Sequence, residues 1–172
     1  RKRLKYEEHD HPIIMIGMGT CGLASGAAKV KEAIEAELKK LNIEATIEGT
    51  GCIGYCAVEP IVDIKLPGKD RISYQEITVK DVPRLIKTTL ADKEIFKEKI
   101  LGSHGKSNGV ISLKQVPFFE HQQKIVLANC GVVNPTSIDA YLAHGGFKAF
   151  DKVLRLMKQE EVIKEVLDAG LR

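Results

Sequence analysis

The sequence has no long apolar run, no large excess of charge of one sign and no secretion signal. No hydrophobic stretch approaches the roughly 18 residues that suggest a membrane span, which argues against direct membrane insertion. The net charge is only +3, with Lys and Arg interspersed among Asp and Glu, which argues against a nucleic-acid partner. The basic start, Arg1-Lys2-Arg3, is not followed by the apolar segment of a signal peptide. We therefore expect a soluble protein located in the cytoplasm.

The chain divides by composition into three parts. Residues 1–91 alternate apolar strands with helical patterns, residues 92–114 contain a polar stretch with glycines, and residues 115–172 are mostly helical in pattern. We interpret these parts as a domain, a linker and a small C-terminal segment with little core of its own. The chain lacks an initiator Met and stops at Ala169-Gly170-Leu171-Arg172, so we expect both ends to continue in a longer protein.

The first part predicts an α/β fold. Residues 12–17 form a short apolar run closed by glycine, which is typical of a buried strand. Val30, Ile34 and Leu38 recur at helical spacing and predict an amphipathic helix over about residues 25–41. The next elements are a strand at 44–49, a hairpin of two strands at 60–77 and a helix at 79–91. The order β-α-β-β-α predicts a thioredoxin-like mixed four-stranded sheet with flanking helices.

Three of the four cysteines lie in glycine-containing loops at the ends of two predicted strands. Cys21 follows the first strand, and Cys52 and Cys56 follow the second. Gly54 lets the second loop fold back, so that both of its sulfurs point inward. In a thioredoxin-like topology both loops leave the same end of the sheet, and we expect the three thiols to converge. The sequence therefore predicts a metal site formed by these three cysteines.

The predicted metal site is one ligand short. A [2Fe-2S] cluster takes four protein ligands, and the two loops supply three thiolates. Ser25, one helical turn after Cys21, is a weak candidate for the fourth ligand, because an alkoxide is a poor substitute for a thiolate. Cys130 is more simply interpreted as a buried thiol in a turn.

Other interpretations of the cysteines stay open. Zinc bound by three cysteines and one histidine has the right number of ligands, but His9, His11 and His104 show no ligand spacing. Cys52 and Cys56 can also be small buried residues or form a reversible disulfide. A thiol-disulfide function is disfavoured, because this pair has three intervening residues instead of two and does not open a helix.

Two stretches of the chain resemble a known family. Residues 18–27 and 50–56, together with Glu59-Pro60, resemble the thioredoxin-like [2Fe-2S] ferredoxin domain of NADH dehydrogenases and NAD(P)-linked iron-only hydrogenases. Residues 117–172 resemble the beginning of the flavin-binding subunit of the same complexes. The resemblance implies an electron-transfer module whose partners are the other subunits of an NAD(P)H dehydrogenase or hydrogenase complex.

The chain departs from the family pattern at two places. The family has a Cys-x-x-x-x-Cys pair followed by a Cys-x-x-x-Cys pair, and Ile16 stands where the first of these cysteines belongs. The family's glycine-rich loop for FMN and NADH, and its cysteines for a [4Fe-4S] cluster, come after the last residue of this sequence. We therefore expect FMN, NAD(P) and [4Fe-4S] only in the remainder of the parent subunit, and no catalytic residue in this fragment.

These features predict one function and one alternative. The first is an electron-transfer module of an NAD(P)H-oxidising complex, with a [2Fe-2S] cluster at Cys21, Cys52 and Cys56 and Ser25 as a weak fourth ligand. The alternative is a cluster-free thioredoxin-like docking or assembly domain of the same complex, which Ile16 favours.

Overall fold

The computed structural model of the protein describes residues 2–105 and 109–170. Arg1 of the basic start, residues 106–108 of the expected linker and residues 171–172 lie outside the described residues. The centre of the molecule is a five-stranded mixed sheet. Its strands are β1 (Ile13–Gly17), β2 (Thr46–Thr50), β3 (Val62–Lys65), β4 (Ile72–Tyr74) and β5 (Ile100–Ser103).

The helices lie between and after these strands. The α-helices of the described residues are α1 (Thr20–Ala24), α2 (Ala27–Leu41), α3 (Val82–Ile86), α4 (Pro117–Glu120), α5 (Ile138–Ala143), α6 (Lys148–Leu156) and α7 (Gln159–Asp168). A π-helical turn, Lys87–Ala91, continues α3. Short 3-10 turns occur at Arg3–Lys5, Cys56–Val58, Lys97–Lys99 and Leu113–Gln115.

β1 and α2 form the centre of the hydrophobic core. All residues of β1 are buried, as its apolar run predicts. Val30, Ile34 and Leu38 are buried on one face of α2, because a spacing of four residues keeps side chains on the same side of a helix. They belong to the same core cluster as Val62 of β3 and Leu85 of α3. The predicted first strand and first long helix are both confirmed.

The strand order is β2-β1-β3-β4-β5. β1 runs parallel to β2 and antiparallel to β3, and β4 runs antiparallel to both β3 and β5. A parallel β1-α2-β2 unit followed by the β3-β4 hairpin and α3 is the thioredoxin-like arrangement predicted from the sequence. Because β1 and β2 are parallel, the loops that follow them leave the same end of the sheet.

The sheet has one strand more than the four that were predicted. β5 pairs with β4 at the edge of the sheet and lies inside residues 92–114, which we expected to be a linker. Leu101 and Ser103 of this strand are buried, as is Phe96 just before it. The prediction was wrong here because half of the four-residue strand is glycine and serine, which leaves no alternating apolar pattern to detect.

The C-terminal segment is mostly helical, as predicted, and its two halves differ in burial. Phe119, Val133 and Ala140 in the first half are buried. α6 and α7 in the second half contain no buried residue. Within the part of the chain that the structure describes, no helix combines the length and the apolar character needed to cross a membrane.

Candidate metal centre

The loop after β1 carries the first predicted ligand. Cys21 is the second residue of α1 and is partly buried. Gly19, just before this helix, brings the loop against the loop that follows β2. A Cβ atom at Gly19 would lie 3.2 Å from both Cβ and the backbone N of Cys52. The absence of a side chain at this position therefore allows the two cysteine loops to approach each other.

The loop after β2 holds the other two predicted ligands close together. Gly54 has a φ of 95°, a left-handed conformation that glycine adopts without strain, and the loop reverses there as predicted. The N–H of Gly54 donates a hydrogen bond to Cys52 Sγ at 3.2 Å. Cys52 Sγ and Cys56 Sγ are 3.7 Å apart, and Cys56 is exposed.

The distance between these two sulfurs suits a shared metal ion. Two thiolates bound at about 2.3 Å to one tetrahedral ion lie about 3.8 Å from each other. The observed separation of 3.7 Å between Cys52 Sγ and Cys56 Sγ matches this value without rearrangement. The donor set of the second loop therefore fits one iron of a [2Fe-2S] cluster, or a zinc ion.

Cys21 lies close enough to Cys56 to influence the pKa of its thiol. A hydrogen bond with Cys21 is the largest of the effects that raise the pKa of the Cys56 thiol, while the hydrogen bond with Cys52 lowers it. Burial raises the pKa of Cys52, and the nearby charge of Glu59 raises it further. A bound metal ion would act in the opposite direction, because it favours the thiolates.

The ligand set remains incomplete. Across residues 2–105 and 109–170, no group of three or more His, Cys, Asp or Glu side chains is placed to hold a metal ion. Ser25 lies at the C-terminal end of α1, where its N–H donates to the carbonyl oxygen of Cys21, and its side chain is exposed. Cys130 lies in a turn of the C-terminal segment and is partly buried.

Sequence reasoning missed a buried carboxylate at this site. Glu59 is 7% exposed, and its Oε2 accepts a hydrogen bond from the N–H of Ile61 at 2.8 Å. Its Oε1 is buried and has no hydrogen-bond partner. Burial raises the pKa of Glu59, and the Cys52 thiol is close enough to lower it in turn. The signals in the sequence were the position of Glu59, three residues after the last cysteine of the loop, and its place in the Glu59-Pro60 pair that belongs to the family resemblance.

The C-terminal segment holds the second cysteine loop from outside. The rings of Tyr55 and Phe118 stack with centroids 4.0 Å apart, and the ring of Phe119 meets Tyr55 edge-on at 5.7 Å. The Nζ of Lys124 donates a hydrogen bond to the carbonyl oxygen of Ile53 at 2.6 Å. The loop that carries Cys52 and Cys56 is therefore fixed between the sheet and this segment.

Comparison with known proteins finds similarity to a hydrogenase subunit. Over 63 residues the chain is 35% identical to the NADP-reducing hydrogenase subunit HndB of Solidesulfovibrio fructosivorans, a match that covers 36% of this chain and 50% of that subunit. The chain thus spans about half the length of this curated relative. The match confirms the resemblance to hydrogenase subunits. No protein-family model matches the chain.

Solved structures include two similar thioredoxin-like [2Fe-2S] ferredoxins from Aquifex aeolicus. The first is 18% identical, with a TM-score of 0.49, and the match covers 59% of this chain and 98% of the ferredoxin. The second is 16% identical, with a TM-score of 0.46, and the match covers 54% of this chain and 97% of the ferredoxin. Neither likeness bears on the cofactor of this chain.

Proposed function

We propose that this chain binds a [2Fe-2S] cluster through Cys21, Cys52 and Cys56 and acts as an electron-transfer module of an NAD(P)H-oxidising complex. The observation that carries the proposal is the pair of thiols in the second cysteine loop, with Cys52 Sγ and Cys56 Sγ 3.7 Å apart. That spacing suits one tetrahedral iron, and Cys21 is then available to the second iron.

The chain's own residues adapt the site to electron transfer. When bound, the cluster supplies one-electron redox chemistry. The N–H of Gly54 donates to Cys52 Sγ and stabilises negative charge on that sulfur, an interaction that sets the reduction potential of such sites. Cys56 is exposed, so the ligand set reaches the protein surface, where the redox group of a partner can approach.

The proposed partners follow from the relative. HndB is by name a subunit of a hydrogenase that reduces NADP. We therefore propose that the partners are other subunits of an NAD(P)H dehydrogenase or hydrogenase complex in the cytoplasm. We further propose that FMN, NAD(P) and [4Fe-4S] belong to the remainder of the parent subunit, as the family resemblance implies.

Iron analysis tests the proposal directly. The chain is purified without oxygen, iron and acid-labile sulfide are quantified, and EPR spectra are recorded before and after reduction with dithionite. We expect about two irons and two sulfides per chain and a signal that appears on reduction. Cys21→Ser, Cys52→Ser and Cys56→Ser should each lower the iron content, whereas the matched control Cys130→Ser should keep it. Absence of iron after reconstitution would contradict the proposal.

A second candidate function is a cluster-free docking or assembly domain of the same complex. The observation that favours it is the burial of Ile16, which is fully enclosed in the core where the family places its first cysteine. A ligand at this position would have to leave the core, so position 16 does not supply the missing donor in this chain. The same iron analysis separates the two functions, because a docking domain stays free of iron after reconstitution.

A further inference from the structure

The two thiols of the second cysteine loop are close enough to react with each other. Cys52 and Cys56 are both free cysteines, and their Sγ atoms are 3.7 Å apart. Because the two sulfurs of a disulfide are about 2.05 Å apart, the pair has to close by about 1.7 Å to form one. Modest rotations of both side chains about their Cα–Cβ bonds supply a movement of this size.

The loop itself has room to follow such a rotation. It lies outside any helix or strand until Cys56, where a 3-10 turn begins. A Cβ atom at Gly51 or Gly54 would have no heavy atom beyond its chain neighbours within 4 Å. The contacts of the loop with the C-terminal segment are made by the carbonyl oxygen of Ile53 and the ring of Tyr55. These contacts leave the two cysteine side chains free to turn towards each other.

The two thiols differ in access to solvent. Cys56 is exposed, whereas Cys52 is partly buried, so a dissolved reagent meets Cys56 first. The N–H of Gly54 donates a hydrogen bond to Cys52 Sγ at 3.2 Å, and this bond stabilises the negative charge on Cys52 when it acts as a nucleophile. An accessible thiol with a second thiol within reach is the arrangement that converts a first oxidation into an internal disulfide.

We propose that Cys52 and Cys56 are a site of reversible oxidation, where they form an internal disulfide by exchange with the disulfide of a small thiol such as glutathione. The Cys56 thiolate attacks one sulfur of the external disulfide, forms a mixed disulfide and releases the first small thiolate. The Cys52 thiolate then attacks Cys56 Sγ, forms the internal bond and releases the second. The two cysteine protons pass through solvent to the released thiolates, and the external disulfide gains the two electrons that the pair loses.

The pair suits a slow switch and not a catalyst. Burial raises the pKa of Cys52, and a hydrogen bond with Cys21 raises that of Cys56, so little thiolate is present near neutral pH and exchange is slow. A sulfur held in a disulfide is not available to a metal ion as a thiolate. Oxidation would therefore block cluster binding, a consequence that rests on the proposed function, whereas the disulfide itself does not.

Peptide mass spectrometry of the full chain tests the site. The reduced chain is freed of reductant without oxygen, incubated with oxidised glutathione, quenched with acid, alkylated and digested with trypsin. Trypsin leaves Cys52 and Cys56 together in the peptide of residues 41–65 and separates this pair from the other two cysteines. We expect this peptide to lose two hydrogen atoms and to escape alkylation until dithiothreitol is added, whereas Cys21 and Cys130, the matched controls in the same chain, are alkylated.

Two variants test the order of attack. Cys52→Ser should stop at the mixed disulfide and keep one glutathione on Cys56, and Cys56→Ser should lose the internal disulfide. In the unmutated chain, a disulfide that joins Cys21 to either residue of the pair overturns the proposal. Full alkylation of all four cysteines also overturns it, as does a glutathione that stays on Cys56 without an internal bond.

A comparison of the cluster-loaded chain with the same chain after removal of iron by a chelator separates this proposal from the proposed function. If both are correct, the loaded pair resists oxidised glutathione and the iron-free pair forms the disulfide. If the chain takes up no iron but forms the disulfide, the electron-transfer function is wrong and the oxidation site stands. If the chain binds iron and its iron-free form stays reduced, the oxidation site is wrong and the function stands.

Discussion

The helix α2 and the helix pair α6–α7 are all amphipathic in sequence, but the apolar face of α2 is buried, whereas α6 and α7 contain no buried residue. α2 buries Val30, Ile34 and Leu38 against the sheet. In α6 and α7 the apolar residues remain in contact with solvent, with Leu154 at 69% and Leu167 at 72% exposure. The comparison teaches that helical periodicity identifies an apolar face, whereas burial requires a second layer that the periodicity does not reveal.

Residues 117–134 lie between these two regions and belong structurally with the first. They attach to the sheet domain through three polar contacts that reach far along the sequence. These contacts are Arg71 to the carbonyl oxygen of Gly131, Lys124 to that of Ile53, and Asn134 to Glu48. The boundary in burial therefore falls within the C-terminal segment, between α5 and α6.

The largest expected difference in stability is between a variant of one buried ion pair and a variant of one exposed ion pair. Arg71 pairs with Asp63 in the sheet domain, and both side chains are buried. Arg71→Met leaves the Asp63 carboxylate buried without its cation and also removes the hydrogen bond to Gly131. We expect a loss of about 3–5 kcal/mol in the free energy of unfolding, measured by urea denaturation.

The matched control for Arg71 lies in α6. Arg155 pairs with Asp151, and both side chains are mostly exposed. Arg155→Met should cost less than about 1 kcal/mol, because water and salt already screen such a pair. Equal losses for the two variants would show that α6 is as well packed as the sheet domain, contrary to the difference in burial.

The next largest expected difference in stability is between Leu→Ala variants of one buried and one exposed leucine. Leu85 in α3 is fully buried, whereas Leu154 in α6 is mostly exposed. Leu85→Ala should cost about 2–5 kcal/mol, because it removes apolar contacts and leaves a cavity. Leu154→Ala should change the free energy of unfolding by about 0.5 kcal/mol or less. Both are helical Leu→Ala changes, so helix propensity contributes alike, and a destabilisation of similar size would refute the comparison.

A smaller effect is expected where the C-terminal segment meets the cysteine loop. The stacked rings of Tyr55 and Phe118 should show a coupling of about 0.5–1.5 kcal/mol in a double-mutant cycle with Tyr55→Leu and Phe118→Leu. The control cycle uses Phe147 and Phe150, whose ring centroids are 6.5 Å apart on the exposed part of the segment. A coupling between Tyr55 and Phe118 no larger than that of the control would mean that the stacked contact does not hold the loop.

The sheet domain shows how far the sequence determines the fold. The apolar run of β1 and the spacing of Val30, Ile34 and Leu38 predicted their elements correctly, because each buries a continuous face. β5 was not predicted, because its residues pair with β4 through the backbone and offer only two large side chains to a pattern search. Backbone pairing at a sheet edge depends on the neighbouring strand, which lies elsewhere in the sequence.

At the candidate site, too, some features could be predicted from the sequence and others could not. The approach of Cys21 to the second cysteine loop followed from parallel strands that end together, and Gly54 indicated the reversal of that loop. The burial of Glu59 could not be predicted, because glutamate is usually exposed and no local pattern distinguishes this one. Its burial arises from the packing of Gly17 and Gly22 over the carboxylate, which becomes apparent only in three dimensions.

The smallest expected effect comes from removing α7. A chain that ends at Met157 loses one ion pair between the described helices, Lys152 with Glu165, whose side chains are both more than half exposed. Because α7 buries no residue, the free energy of unfolding of the sheet domain should change by about 0.5 kcal/mol or less in urea denaturation. The far-UV circular dichroism signal should fall by the contribution of this one helix.

Removal of α7 should have a different consequence for association. The apolar residues Ile163, Val166 and Leu167 leave with the helix, and exposed apolar groups of this kind promote contact between molecules. Sedimentation of the shortened and the full chain at equal concentration should therefore show less self-association for the shortened one. A loss of stability above about 1 kcal/mol would instead mean that α7 packs on the sheet domain, and the division between a packed domain and exposed helices would have to be abandoned.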